Sequence, residues 1–531
     1  MKIKYESIVL VFISSIIVLT SCYPSKKVSF IANENLPRVT DISSPSKVFL
    51  KDASFLIFQN GFRVIDNTIE GQGQRIFINI KGSRFGHYSM PMDSVVAISY
   101  YELKSSSGSI LGSVLLGLYG GFITPYSIRC ITCPKCCFGS CPTVYTDGGD
   151  GYNIEAELFS YSISKFFQKT DLDRLSKKIS NDGLYQIRIS NEALETHYIN
   201  QFALIEVTHP IGTEVFPSDE GEYIVTRDLQ APITAINSIG EDVLYKIQSR
   251  DNVWYRSDTN MVKRIADYVL TDWVDLKFDL PKKATKVKIV MHLRNTLLST
   301  ILFYDVVLAS QGIRAIEWIE RINTDSVYAA QFNDVYEWYG GMDLSVLRDG
   351  KWVDQISVSD VGPIAGKDIA IELQAERDEN GFMEIRFEFF PDNFMIDYIA
   401  VEVSEDTEEN VSIKKLMPEE IYDVEHHERS DILRLVENSD KEYLVTNPGE
   451  SYYFHYYVTV DEGFDKTYFI KSKGYYTEWL RGDWLSTESL EYSFDLFNVD
   501  QTITRLRESW LANRELMENE FFKSRIPLKE D

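Results

Sequence analysis

Apolar and polar residues alternate in short runs along most of this chain, and Gly, Pro, Asn and Asp separate the runs. Between residues 46 and 104 the runs Val48-Phe49-Leu50, Ser54-Phe55-Leu56-Ile57-Phe58, Arg75-Ile76-Phe77-Ile78-Asn79-Ile80 and Val95-Val96-Ala97-Ile98 are punctuated by Gly61, Gly71, Gly73 and Gly82. This pattern predicts short strands in a small β-barrel. Over residues 151–310 the runs at 185–189, 202–207, 287–291 and 301–308 predict a β-sandwich. Ile316, Ile319 and Ile322, at i, i+3 and i+6, predict a helical connector over 311–340. Runs at 352–353, 369–371, 385–389 and 399–401 then predict a second β module over 341–404. Residues 402–431 hold eleven acids and three bases, so 405–440 reads as a solvated acidic linker. An aromatic β region over 441–531 ends in the stripe Ile503, Leu506, Trp510, Met517 and Phe521, one face of an amphipathic helix that docks on the body. The expected fold is mainly β and multidomain: a small barrel, sandwich modules and a C-terminal helix.

The N-terminus changes this picture. Lys2 and Lys4 precede an apolar stretch from Ile8 to Thr20, too short for a comfortable membrane span and suited to a signal peptide. It ends Leu19-Thr20-Ser21-Cys22, which resembles the lipobox of bacterial lipoproteins. That resemblance implies removal of residues 1–21, a diacylglycerol-modified and acylated Cys22 as the membrane anchor, and a lipidated tether over 22–45. The following Tyr23-Pro24-Ser25-Lys26-Lys27 lacks the Asp that retains some lipoproteins at the inner membrane. The implied location is the outer membrane, facing the periplasm. Residues 105–128 carry no charge, and Gly108, Gly112, Gly117 and Gly121 recur along them, a spacing similar to a glycine zipper. This segment is a candidate second membrane contact; a packed Gly-rich hairpin is the competing reading.

Composition narrows the partners. With 80 Asp plus Glu against 54 Lys plus Arg, the net charge is −26, which opposes phosphate binding and excludes a nucleic-acid partner. The 31 Tyr, 30 Phe and 8 Trp suit strands and surfaces that hold glycan or protein. No nucleophile elbow, P-loop, dinucleotide fingerprint or zincin motif occurs.

Apart from Cys22, all cysteines crowd into residues 129–150: Cys130, Cys133, Cys136, Cys137 and Cys141. An exported chain meets an oxidising milieu, so structural disulfides are the first expectation, Cys137 with Cys141 foremost. Five is odd, so one thiol stays unpaired within the chain. The spacing matches a ferredoxin run only through its first three cysteines, because the cysteine before Pro142 comes one residue late. Four thiolates would still suit a metal, and Cys133-Pro134-Lys135-Cys136 resembles the C-P-x-C of glutaredoxin-like oxidoreductases. No other cofactor is expected. Asp147-Gly148-Gly149-Asp150-Gly151 lacks the oxygen ligands of an EF-hand and reads as a hairpin turn. The sequence Glu425-His426-His427-Glu428 reads as solvated.

Two further likenesses remain. The segments 137–145, 191–198 and 209–213, beginning Cys137-Phe138-Gly139-Ser140-Cys141-Pro142-Thr143, resemble a recurring group of bacterial envelope proteins of no assigned activity. Phe303-Tyr304-Asp305-Val306-Val307 and Met395-Ile396-Asp397-Tyr398-Ile399 are similar to the closing strands of jelly-roll modules, many of them carbohydrate-binding. The expected function is a membrane-anchored envelope protein that binds a protein or glycan without catalysis. The alternatives are a glycan-active hydrolase, or redox or metal chemistry at Cys130 to Cys141.

Overall fold

The computed structural model describes residues 25–104 and 141–479, with short breaks such as 33–35, 77–83, 312–314 and 403–410, and helical positions between 506 and 521. Two compact units are present, divided near residue 130. No helix among the described residues is long and apolar enough to cross a membrane.

The first unit is one antiparallel sheet of β1 (Ser25–Ala32), β2 (Ser46–Leu50), β3 (Phe55–Phe58), β4 (Arg63–Ile65), β5 (Thr68–Ile76), β6 (Arg84–Pro91) and β7 (Val95–Lys104). Its order is β1-β7-β2-β3-β5-β4, with β6 also on β5. Val48, Leu56, Phe58, Ile69 and Ile98, all wholly buried, form its core. The expected barrel is corrected to an open sheet. Closure would require β1 to pair with the far edge, which is β6 on the outer side of β5, and no such pairing exists among the described residues.

The second unit holds two sandwiches. The first begins with β8 (Thr143–Asp147), β9 (Tyr152–Glu157), β10 (Thr170–Leu175), β11 (Leu184–Ser190) and β12 (Glu195–Pro210). A hairpin follows, β13 (Glu214–Pro217) and β14 (Tyr223–Thr226). The next nine strands form the second sandwich: β15 (Thr234–Asn237), β16 (Tyr255–Arg256), β17 (Asp272–Asp279), β18 (Lys286–Asn295), β19 (Met342–Arg348), β20 (Lys351–Val358), β21 (Lys367–Gln374), β22 (Phe382–Phe389) and β23 (Phe394–Glu402). The chain then returns to complete the first sandwich with β24 (Ser412–Leu416), β25 (Glu420–Asp423), β26 (Leu444–Thr446), β27 (Ser451–Tyr457) and β28 (Phe464–Glu478).

The first sandwich pairs the sheet β25-β27-β11-β8-β9 with the sheet β10-β28-β12-β24, β26 also joining β12. Aromatic side chains fill the gap between them: Tyr185 meets Tyr468 at 5.2 Å and Phe202 meets Phe454 at 5.0 Å between centroids. In the second sandwich the sheets are β16-β23-β18-β21 and β15-β17-β22-β19-β20. Leaving aside β15, the remaining eight strands interleave as two Greek keys, which is the jelly-roll order. Its core joins Val274, Leu276, Ile385 and Phe387 of one sheet to Ile289, Met291, Ile371 and Ile399 of the other.

Several expectations change here. Residues 301–308 are helical, not a strand: Leu298–Ile301 is α-helical and Leu302–Leu308 is a π-helical turn. Ile301, Leu302, Phe303, Tyr304, Val306, Val307 and Leu308 are all buried, so no alternation marks the conformation. The helices Ala315–Thr324 and Ser326–Gly340 follow, between β18 and β19. One jelly roll therefore spans the boundary at 310, and the second strand of the likened pair, 395–399, lies within β23. The stretch 405–440 is more than a connector, because β24, β25 and the helix Ser430–Val436 lie in it.

At the C-terminus, Leu506, Trp510, Met517 and Phe521 are buried helical positions, and Ile503 lies outside the described residues. Polar anchors fix this helix. Trp510 Nε1 donates to Asp392 Oδ2 at 2.8 Å, and Glu518 accepts from Leu297 N at 2.8 Å and from Arg294 at 3.0 Å.

Candidate functional site

Cys22, Cys130, Cys133, Cys136, Cys137 and residues 105–128 lie outside the described residues. Cys141, expected to bridge to Cys137, is a free and buried thiol whose Sγ lies 3.6 Å from the Ser160 carbonyl. Burial pushes that thiol well above its usual range, and the charges of Glu157 and Glu195 push it further. It is accordingly protonated and a poor nucleophile. Asp147 caps its turn, accepting from Gly151 N at 3.1 Å. His427 is 67% exposed beside Asp423 and Glu425, and no trio of His, Cys, Asp or Glu among the described residues is placed to hold a metal.

Residues 141–145 and 191–198 meet inside the first sandwich. Tyr145 Oη donates to Glu192 Oε1 at 2.6 Å. Glu195 and Glu478 are cross-strand partners, and Tyr304 from the π-helical turn places its hydroxyl 2.9 Å from Glu195 Oε1 and against Glu478 Oε1. One hydroxyl carries one proton, so Tyr304 donates to only one of the two carboxylates at a time. His197 Nε2 lies 3.3 Å from Glu195, and burial lowers its pKa to about 3, leaving the ring neutral. Glu195, Glu478 and His197 are fully buried. The cluster fastens the inserted helices to the sandwich in its core.

A cleft of about 690 Å³ lies between the two sandwiches. Its floor is the outer face of the four-stranded jelly-roll sheet, where His292 and Asp368 are register partners on β18 and β21. Asp368 accepts from His292 Nδ1 at 2.8 Å, from Arg174 Nη1 of β10 at 3.0 Å and from Arg250 Nη1 at 3.2 Å. Burial alone would raise this carboxyl, but the imidazole hydrogen bond and the two guanidinium charges hold it well below the usual carboxylate range. Phe216 of the β13–β14 hairpin lies between the two guanidiniums, 4.5 Å from Arg174 and 5.1 Å from Arg250. The hairpin also packs Phe216 on Val290 and Ala370, so it covers that part of the sheet face.

The five-stranded sheet of the jelly roll carries a second group of polar and aromatic side chains on its outer face. Along β17 and β22 every second residue is buried, which turns Trp273, Asp275, Lys277, Glu384, Arg386 and Glu388 outward. Arg386 stands between two indoles, 4.8 Å from the Trp273 ring centroid and 4.4 Å from that of Trp352 on β20. Asp275 fixes the guanidinium with two hydrogen bonds of 2.6 and 2.8 Å. Asp343 and Ser357 on β19 and β20 are bonded to each other, and Ser345 donates to Asp354 at 2.8 Å. The result is a pre-set platform of two aromatic rings ringed by fixed donors and acceptors. The sequence contained its residue types but not their convergence, since Trp273, Trp352 and Arg386 come from three separated strands.

No family model matches the chain, and no curated protein matches it. Among solved structures, a GH31 α-xylosidase from Xanthomonas citri aligns over 82% of this chain at 9% identity and a TM-score of 0.15. The chain spans 38% of that enzyme's length, and a likeness this low carries no argument about fold or activity.

Proposed function

We propose that the protein is a lipid-anchored binding protein of the bacterial cell envelope, held through Cys22, and that its jelly roll binds glycan on the five-stranded face. The Trp273–Arg386–Trp352 platform carries this reading. Aromatic rings supply flat apolar area for sugar rings, and side chains fixed by mutual bonds lose little freedom when a ligand arrives. Five acids, Asp275, Asp343, Asp354, Glu384 and Glu388, surround two bases, Lys277 and Arg386. That balance suits a neutral, hydroxyl-rich chain and opposes a polyanion.

The test has two arms. Palmitate labelling in cells should be lost in Cys22→Ala; persistent label sinks the anchor. Binding of the purified soluble chain to immobilised neutral polysaccharides should fall at least about tenfold in a Trp273→Ala/Trp352→Ala variant. Wild-type protein that binds none of them, or a variant that binds as well as wild type, overturns the glycan reading.

A further inference from the structure

The inter-sandwich cleft has a feature that its structural role does not use. Asp368 occupies the end-on edge of Arg250, taking Nη1 at 3.2 Å with Nη2 at 3.1 Å. The side-on edge, Nε–H with the second Nη2–H, has no partner among the described residues, and Arg250 lines the cleft at 32% exposure. His292 is in the same position: Nδ1 is committed to Asp368, while Nε2 has no partner among the described residues. Gly366 borders that nitrogen. A Cβ there would come 2.5 Å from His292 Nε2 and 3.1 Å from the Trp254 ring, so glycine keeps this part of the cleft floor open.

The neighbouring acids are already committed. Glu155 accepts from Ser176 N at 2.8 Å, from the Ser176 hydroxyl and from Thr146 Oγ1 at 2.9 Å. Glu214 takes Arg174 Nη2 at 3.0 Å. Lys466 is paired with Glu206 at 3.2 Å. Asp465 accepts from Gly212 N at 3.3 Å. What remains is a guanidinium edge with two parallel N–H groups, the geometry that matches a carboxylate, beside an imidazole nitrogen and a cavity of small-molecule size.

We propose that this cleft binds a small molecule through a carboxylate: the side-on edge of Arg250 forks the two oxygens, and His292 Nε2 meets a neighbouring polar group of the ligand. Peptides and uronic sugars share this chemistry. Titration calorimetry of the full mature chain distinguishes them, with alanyl-alanine and D-glucuronate each run beside its uncharged counterpart, the C-terminal amide and the methyl ester. At least one acid is expected to bind with Kd below about 1 mM, and its counterpart at least about tenfold more weakly. Arg250→Gln should cost about 10- to 100-fold, because a charge-assisted fork is lost. Arg250→Lys keeps the charge without the fork and should fall between. Gly366→Ala alters no charge and should also weaken binding by filling the floor. Val327→Ala, exposed on the helix Ser326–Gly340 and away from the cleft, should leave it unchanged. The proposal is overturned if neither acid binds, if the uncharged counterpart binds equally, or if Arg250→Gln and Gly366→Ala both bind as wild type does.

Discussion

Replacing Asp392 by Asn tests how the C-terminal helix is held. Asp392 is wholly buried and accepts from Arg256 Nε at 2.7 Å, Arg256 Nη2 at 3.1 Å and Trp510 Nε1 at 2.8 Å, with Arg514 Nε 3.3 Å away. Its φ of 64° lies in the left-handed region, which Asn tolerates as well as Asp, so the substitution changes charge and leaves backbone preference intact. Arg256 and Arg514 are only 15% and 9% exposed, and neither regains full hydration when the carboxylate goes. Removing one member of a buried ion pair costs about 3–5 kcal/mol, and the amide oxygen left behind keeps this substitution near the lower end. Trp510→Phe removes one N–H donor and should cost about 1–2 kcal/mol. Urea unfolding of both single variants and the double variant measures the coupling. The Trp510→Phe cost should shrink by about 1 kcal/mol when combined with Asp392→Asn, because its charged acceptor is already gone. A loss below about 1 kcal/mol for Asp392→Asn, or strictly additive effects, would refute this account of helix docking.

His197 has a folded pKa of about 3 against an ordinary value near 6.5, so the unfolded chain binds a proton that the folded one does not. Stability should therefore fall as pH drops below about 6.5, by up to about 1.4 kcal/mol per unit from this group, and the difference between wild type and His197→Gln across pH 7 to 5 should show that slope. Gly474 sits where a Cβ would lie 2.5 Å from the Tyr198 carbonyl and 2.6 Å from the Phe159 ring, beside the bulge in β12. Gly474→Ala should lower stability by about 1–3 kcal/mol in denaturant titration. Arg386→Met keeps much of the aliphatic stem but removes the cation between Trp273 and Trp352; stability should change by less than about 1 kcal/mol, while affinity for neutral glycan falls.

The strands were legible where burial is one-sided. β17 and β22 bury alternate residues, and their sequences alternate accordingly. The C-terminal stripe was legible for the same reason at helical period. Residues 301–308 were not, because burial on every side erases the period that separates helix from strand. Partner choice was also hidden. β10 pairs with β28 through Leu172 and Lys471, almost three hundred residues apart, and nothing local to either strand encodes the other. The candidate site suffers from the same limit. Arg174, Arg250, His292 and Asp368 are single polar residues on distant segments, indistinct from other surface polar residues until the fold stacks them on one carboxylate. Residues of two likened segments do meet, Tyr145 with Glu192, and Glu195 pairs with Glu478 of another strand, but nothing in the sequence marked these contacts, and they lie in the core.

The nesting of the two sandwiches limits where a partner can act. The chain leaves the first sandwich at Pro210 and returns at Ser412, which pairs with Thr208 on the adjacent strand, so the whole jelly roll is inserted between neighbours in one sheet. Insertion brings the four-stranded sheet against the hairpin, and the Lys367 contacts with Asp171 and Asp173 tie that sheet directly to β10. The proposed carboxylate site is the cleft that remains on this side, about 690 Å³ and lined by Arg250. Trp273, Arg386 and Trp352 stand on the opposite sheet, where we propose that an extended glycan lies. The two proposed sites thus lie on opposite sheets of one module, the cleft on the side that faces the host sandwich and the platform on the other.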